Sequence, residues 1–232
     1  MNFEWNPQTI QWYEDANTYS GFFRNLAGLI SPMLRGYSTL CDLGCGLGLL
    51  DLELSPSISE ITCVDINEVA LAALQKGIAD RQVSNLEPRL MDCGELEGEW
   101  DVICISFFGS KEFENFLPHC RKLIAVVGRR QQTELYPDKY RKYLKNSAEK
   151  VEEVLSRKGM DYVLTEAAFE FGQPFHSRAD AENFVRTHCP AITPEDLRSF
   201  LDGALRETGD SRFPLVIPRL KSLGVFEIKG CL

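Results

Sequence analysis

Apolar and polar positions fall into blocks whose period switches regularly along the chain. Thr39-Leu40-Cys41 ends in Asp42, Ile61-Thr62-Cys63-Val64 in Asp65, Arg89-Leu90-Met91 in Asp92, and Trp100 to Ile105 in Ser106, with a further run at Leu123 to Val127. Short runs of this kind read as strands. Helical spacing separates them over Leu49 to Leu54, stopped by Pro56, over Asn67 to Asp80 with Asn67 as cap, and over Lys111 to Leu117, stopped by Pro118. Strands alternating with helices predict a parallel sheet covered on both faces, with a ligand site at the carboxyl ends of the strands.

The flanks follow other patterns. Asn6 to Leu34 has helical spacing interrupted at Asn17-Thr18, which predicts one broken helix or two short ones over the mouth of the sheet. Downstream, Asp138 to Lys158 reads as a helix and Tyr162 to Phe171 as a strand. Helices then start at the caps Ser177 and Thr193, the second with Pro194 at its first position. Leu215 to Ile217 and Val225 to Lys229 close the chain as short strands. One domain over 1–232 is expected: a helical lid at 1–36, a ligand-binding core at 37–130, and acceptor-side helices and final strands at 131–232.

Between the first strand and its helix stand Gly44, Gly46 and Gly48, directly after Asp42. Glycine takes positive φ freely and lets a ligand approach the backbone, while the free N–H groups of a helix start face that ligand. The dinucleotide fingerprint fails, because Leu49 stands where its third glycine belongs. The run h-h-D-x-G-x-G-x-G, followed by strand-end acids at 65 and 92 and by Ser106, resembles the class I S-adenosylmethionine-dependent methyltransferases from about Thr39 to Gly128. The resemblance implies a doubly wound, mostly parallel seven-stranded sheet with an antiparallel edge region. It also implies S-adenosylmethionine as cofactor, held by Asp42, Gly44, Gly46, Gly48, Asp65, Asp92 and Ser106. Cys45, Ile66 and Cys93 adjoin these positions and join the expected cofactor set, with Tyr19 from the lid.

Composition narrows the partners. A net charge of −9 disfavours nucleic acid, which wants clustered positive charge. No run reaches a membrane span and the first residues lack a secretory pattern, so a cytoplasmic protein is expected. The eight cysteines show no paired metal-ligand spacing, which predicts buried thiols and no metal. The place after the fourth strand reads Ser106-Phe107-Phe108-Gly109, without the Asn or Asp and two prolines of enzymes that methylate bases or glutamine. A small-molecule acceptor is therefore expected, the alternative being a protein that binds the cofactor without turnover and serves a partner. Tyr13 and His176 are the candidate catalytic residues, and Trp12 and Phe107 candidate pocket residues. Arg129 and Arg130 are candidate anchors for an anionic acceptor, because 121–158 holds eleven basic against five acidic residues in an acidic chain.

Overall fold

The computed structural model describes residues 4–107, 112–129, 134–140 and 147–232. The apolar runs become β1 (Thr39–Leu43), β2 (Glu60–Asp65), β3 (Leu86–Leu90), β4 (Trp100–Ser106) and β5 (Cys120–Gly128). With β6 (Tyr162–Glu170) and β10 (Leu220–Lys229) they form one seven-stranded sheet of order β3-β2-β1-β4-β5-β10-β6. Neighbours among β1 to β5 pair parallel. Strand β10 pairs antiparallel with both β5 and β6, which leaves β6 parallel to the rest. The antiparallel strand thus lies one place in from the edge. Pro88 falls in edge strand β3, where a missing N–H is tolerated.

Two cores cover the sheet. On one face α2 (Phe22–Ile30), α3 (Leu49–Leu54) and α4 (Glu68–Arg81) bring Phe22, Leu26, Leu54 and Leu74 onto Leu40, Cys63, Cys104 and Val126. On the other, Phe113, Phe116 and Leu117 and the apolar side of α5 (Ala148–Arg157) cover Cys41, Leu43, Ile103 and Leu123. A third cluster joins the chain's two flanks: Trp12 of α1 (Pro7–Ser20) packs with Phe175, Phe184, Leu201 and Ile217. These come from β7 (Gln173–Phe175), α6 (Arg178–His188), α7 (Pro194–Ala204) and β9 (Leu215–Ile217). The caps fall where the sequence places them, with Asn67 on Val69 and Ala70, Ser177 on Asp180, and Thr193 on Asp196.

Three expectations are corrected. The first helix breaks at Gly21, with φ of 64°, and not at Asn17-Thr18. Asn17 stays helical and its side chain accepts a bond across the break from Phe23 N (3.1 Å). The stretch before Pro118 forms 3-10 turns at Phe113–Asn115 and Leu117–His119, since proline removes an N–H and disfavours α conformation before it; Lys111 lies outside the described residues. In 138–158 a 3-10 turn at Asp138–Tyr140 precedes α5, and 141–146 lie outside the described residues. Of the two closing runs, Val225 to Lys229 enters the main sheet within β10, while Leu215–Ile217 joins a separate antiparallel sheet of order β7-β9-β8, where β8 is Arg206–Glu207. Among the described residues no helix is long and apolar enough to cross a membrane.

Candidate active site

The turn after β1 is clamped to its neighbour, for Gly44 N and Cys45 N both donate to Val64 O at 2.8 and 3.0 Å. Gly44, Gly46 and Gly48 all take positive φ, at 74°, 56° and 62°. At Gly48 a Cβ would stand 2.3 Å from Leu74 Cδ1, and at Gly46 it would meet the Trp5 indole at 3.4 Å. Positive φ favours glycine at all three positions, Leu74 crowds any side chain at Gly48, and Trp5 covers the turn at Gly46. Asp65, at the tip of β2, accepts from Gly46 N (2.8 Å) and from Asn67 N (2.9 Å).

Beneath the turn lies a buried carboxyl pair. Asp42 stands in register between Cys63 on β2 and Cys104 on β4, and residues in register share a face of the sheet. Asp51, in the first turn of α3, meets it from above. The two acids are 1% and 0% exposed, and among the described residues no cationic side chain pairs with them, their nearest polar company being each other and the thiols of Cys104 and Cys63. Two ionised carboxylates would repel there in low dielectric, whereas one proton held between them makes an O–H···O bond. Burial and mutual repulsion accordingly push Asp42 well above the usual carboxylate range, and burial pushes Asp51 up to about 7. Burial also raises the thiols of Cys45, Cys63 and Cys104, which stay protonated. Asp51 escaped the sequence reading because a first-turn acid ordinarily serves the helix dipole in solvent.

The other strand ends complete the rim. Asp92 is exposed and accepts from Gly94 N (2.8 Å), and Cys93 begins the turn that Asp92 caps. Ile66 is 48% exposed beside Asp65, an apolar surface next to a polar acceptor. Ser106 ends β4, and Phe107 follows it with φ of 56°, a conformation that non-glycine residues seldom adopt. From the lid, Tyr13 meets Trp5 edge-on at 5.4 Å and Phe171 at 5.5 Å. Its burial pushes the phenol up to about 12, so at neutral pH it is a hydrogen-bonding group and a poor base.

A family model described as a methyltransferase domain matches residues 40–128, the stretch from β1 to β5 that builds this turn and rim. Over these residues the chain carries a methyltransferase domain. Such a domain takes its methyl group from S-adenosylmethionine. A curated relative, trans-aconitate 2-methyltransferase of Deinococcus radiodurans, is 29% identical over 99 residues, which are 43% of this chain and 36% of that protein. The match spans little more than a third of the relative's length. Among solved structures, magnesium protoporphyrin IX methyltransferase of Synechocystis with bound S-adenosylhomocysteine is similar at a TM-score of 0.57. That likeness has 13% identity and covers 99% of this chain and 90% of that one. The YcgJ protein of Bacillus subtilis gives 0.55 at 14% identity, over 90% and 99% of the two chains. At these identities the likeness concerns the fold.

Several expected site residues lie elsewhere in the methyltransferase domain and its flanks. Trp12 is 2% exposed, donates from Nε1 to Asp180 (2.8 Å), and belongs to the third core and not to a pocket wall. Among the described residues Tyr19 meets the Phe213 ring edge-on at 6.1 Å. His176 holds Asp15 Oδ2 at 3.3 Å and Arg212 O at 2.9 Å. Asp15 is two residues from Tyr13, and two residues turn an α-helix through about 200°, so His176 and Tyr13 address opposite sides of α1. Arg129 is taken up by Glu149 (3.2 Å) and Glu166, which removes it as a free anchor. Arg130 lies outside the described residues.

Proposed function

We propose that the chain is an S-adenosylmethionine-dependent methyltransferase acting on a small-molecule acceptor. The observation that carries this reading is the constellation of a buried acid pair with no cation on it among the described residues, a turn with glycine at three positive-φ positions, and an acid at the tip of β2. These residues fit the cofactor. The buried pair lacks positive charge, the turn admits a ligand to the backbone, and Asp65 spends its bonds on two backbone N–H groups that ribose hydroxyls can replace. Bound S-adenosylmethionine would supply a methyl group on a sulfonium. Asp92 and Ile66 would take the adenine end, and Asp42 the charge of the methionine end.

Methyl transfer is an in-line displacement, so the protein's work is to position the acceptor and exclude water. Trp5, backed by Tyr13, lies over the turn and suits the second task. Tyr13, held neutral by burial, can donate a bond but is a poor proton acceptor, which favours an acceptor that already presents a lone pair. The relative named for trans-aconitate supports a small organic acceptor.

Calorimetric titration with S-adenosylhomocysteine is the direct test. Binding is expected, and Asp65→Ala should weaken it by about 1.5–3 kcal/mol, the range for hydrogen bonds to a charged group. Equal affinity in both proteins would remove Asp65 from the site. Labelled S-adenosylmethionine incubated with fractionated metabolites should then yield a labelled small molecule; label recovered only in macromolecules would overturn the acceptor class.

A further inference from the structure

We propose that Arg219, flanked by Lys221, is the anchor for a carboxylate group on the acceptor, an inference that rests on the methyltransferase reading above. Arg219 immediately precedes β10, and because β10 is antiparallel its first residues lie at the carboxyl ends of the parallel strands. That is the side of the glycine turn.

Arg219 as a residue is only 8% exposed. Its Nε donates to Phe171 O (3.0 Å) and its plane lies 5.3 Å from the Phe171 ring centre. Among the described residues no carboxylate forms an ion pair with it. Glu134 and Glu170 are near enough to temper its charge, and Glu170 instead accepts from the Arg219 backbone N (3.3 Å). A cation this deeply buried is costly unless an anion meets it. With Nε engaged, the two terminal nitrogens remain to face a planar carboxylate side by side.

A second cation and a group of aromatic rings surround Arg219. Lys221 Nζ lies 3.4 Å from the centre of the Phe107 ring, and Phe22 and Phe171 stand at 4.9 and 5.0 Å. Residues 219 and 221 are two apart along an extended chain and so share a face, with Phe171 common to both. Phe171 also meets Tyr13, Tyr13 meets Trp5, and Trp5 covers Gly46. A continuous series of ring contacts therefore links the buried guanidinium to the glycine turn, while Phe107 links Lys221 to the tip of β4. An acceptor seated among these rings would reach both cations with one anionic group. Walls this apolar suit a planar monoanion better than a phosphate dianion, which needs more donors than two side chains present.

The test uses the full chain saturated with S-adenosylhomocysteine, titrated at constant ionic strength with citrate, succinate and benzoate, and with inorganic phosphate and succinamide as controls. At least one carboxylate should raise the melting temperature saturably while the controls do not. Arg219→Met should weaken that binding about tenfold or more with S-adenosylhomocysteine affinity unchanged, and Lys221→Met should weaken it less. If Arg219→Met does not fold, Arg219→Lys keeps the charge but loses the planar fork and should still bind the carboxylate several-fold more weakly. Cofactor product binding without any carboxylate binding, phosphate binding as well as the carboxylates, or undiminished affinity in the arginine variants would each overturn the anchor. Failure of the wild type to bind S-adenosylhomocysteine would overturn the methyltransferase reading itself and the anchor with it.

Discussion

Asp51 carries a charge problem that its place in the chain conceals. Asp42, Asp65 and Asp92 were legible because an acid at the end of an apolar run is conspicuous, whereas Asp51 is unusual only once α3 has turned it onto Asp42. Arg219 is hidden for a similar reason: it reads as a loop cation between two short strands, and its burial comes from Phe171, far away in sequence. The acid pair has a measurable consequence. Both carboxyls are raised, so the folded protein keeps protons that the unfolded chain gives up above about pH 4. The stability they contribute is present at low pH and is lost as pH rises through about 7, at up to about 1.4 kcal/mol per pH unit for one proton. Asp51→Asn should therefore flatten the stability profile between pH 5 and 8 and melt above the wild type at pH 8. Parallel profiles by circular-dichroism melts would show that the pair does not share a proton.

At the scale of elements, the β1 turn was legible because a need for positive φ is written directly in residue type. Gly48 is its most exacting position. Gly48→Ala should lose about 1–2 kcal/mol from the left-handed conformation and about 1–3 more from crowding Leu74. Leu74→Ala in the same chain should restore part of the second loss and none of the first, so denaturant unfolding of the two singles and the double should be non-additive. Strict additivity would place the damage elsewhere. The position of β10 was not legible from spacing, because strand order depends on which edges the chain can reach and not on period. The 3-10 turns near Pro118 were missed because apolar spacing alone does not distinguish a short helix from two tight turns. The two-sidedness of α1 was also out of reach, since its aromatics read alike until Tyr13 is seen against Trp5 and Trp12 against Phe184.

In the whole molecule α1 serves as both cover and core. A helix that acted only as a lid could be removed with little loss of fold. Here Trp12 fills the third core, donates to Asp180, and offers its carbonyl to Gln173 Nε2 (2.9 Å). Trp12→Ala should cost about 3–5 kcal/mol, as large buried aromatics do, while Trp12→Phe should retain most of the packing and lose about 1 kcal/mol with the indole bond. A chain lacking α1 should accordingly be cleaved rapidly by protease in α6 and α7; resistance equal to that of the full chain would restore the simple lid. The placement of β10 matters at another moment in the protein's life. Edge strand β6 has β10 as its one neighbour in the sheet, and β10 begins fifty residues after β6 ends. On the ribosome, β1 to β5 can pair as they emerge, but β6 must wait with its backbone unpaired until the last strand is translated and slides in between. A nascent chain stalled before Leu220 should therefore be the form most in need of a chaperone.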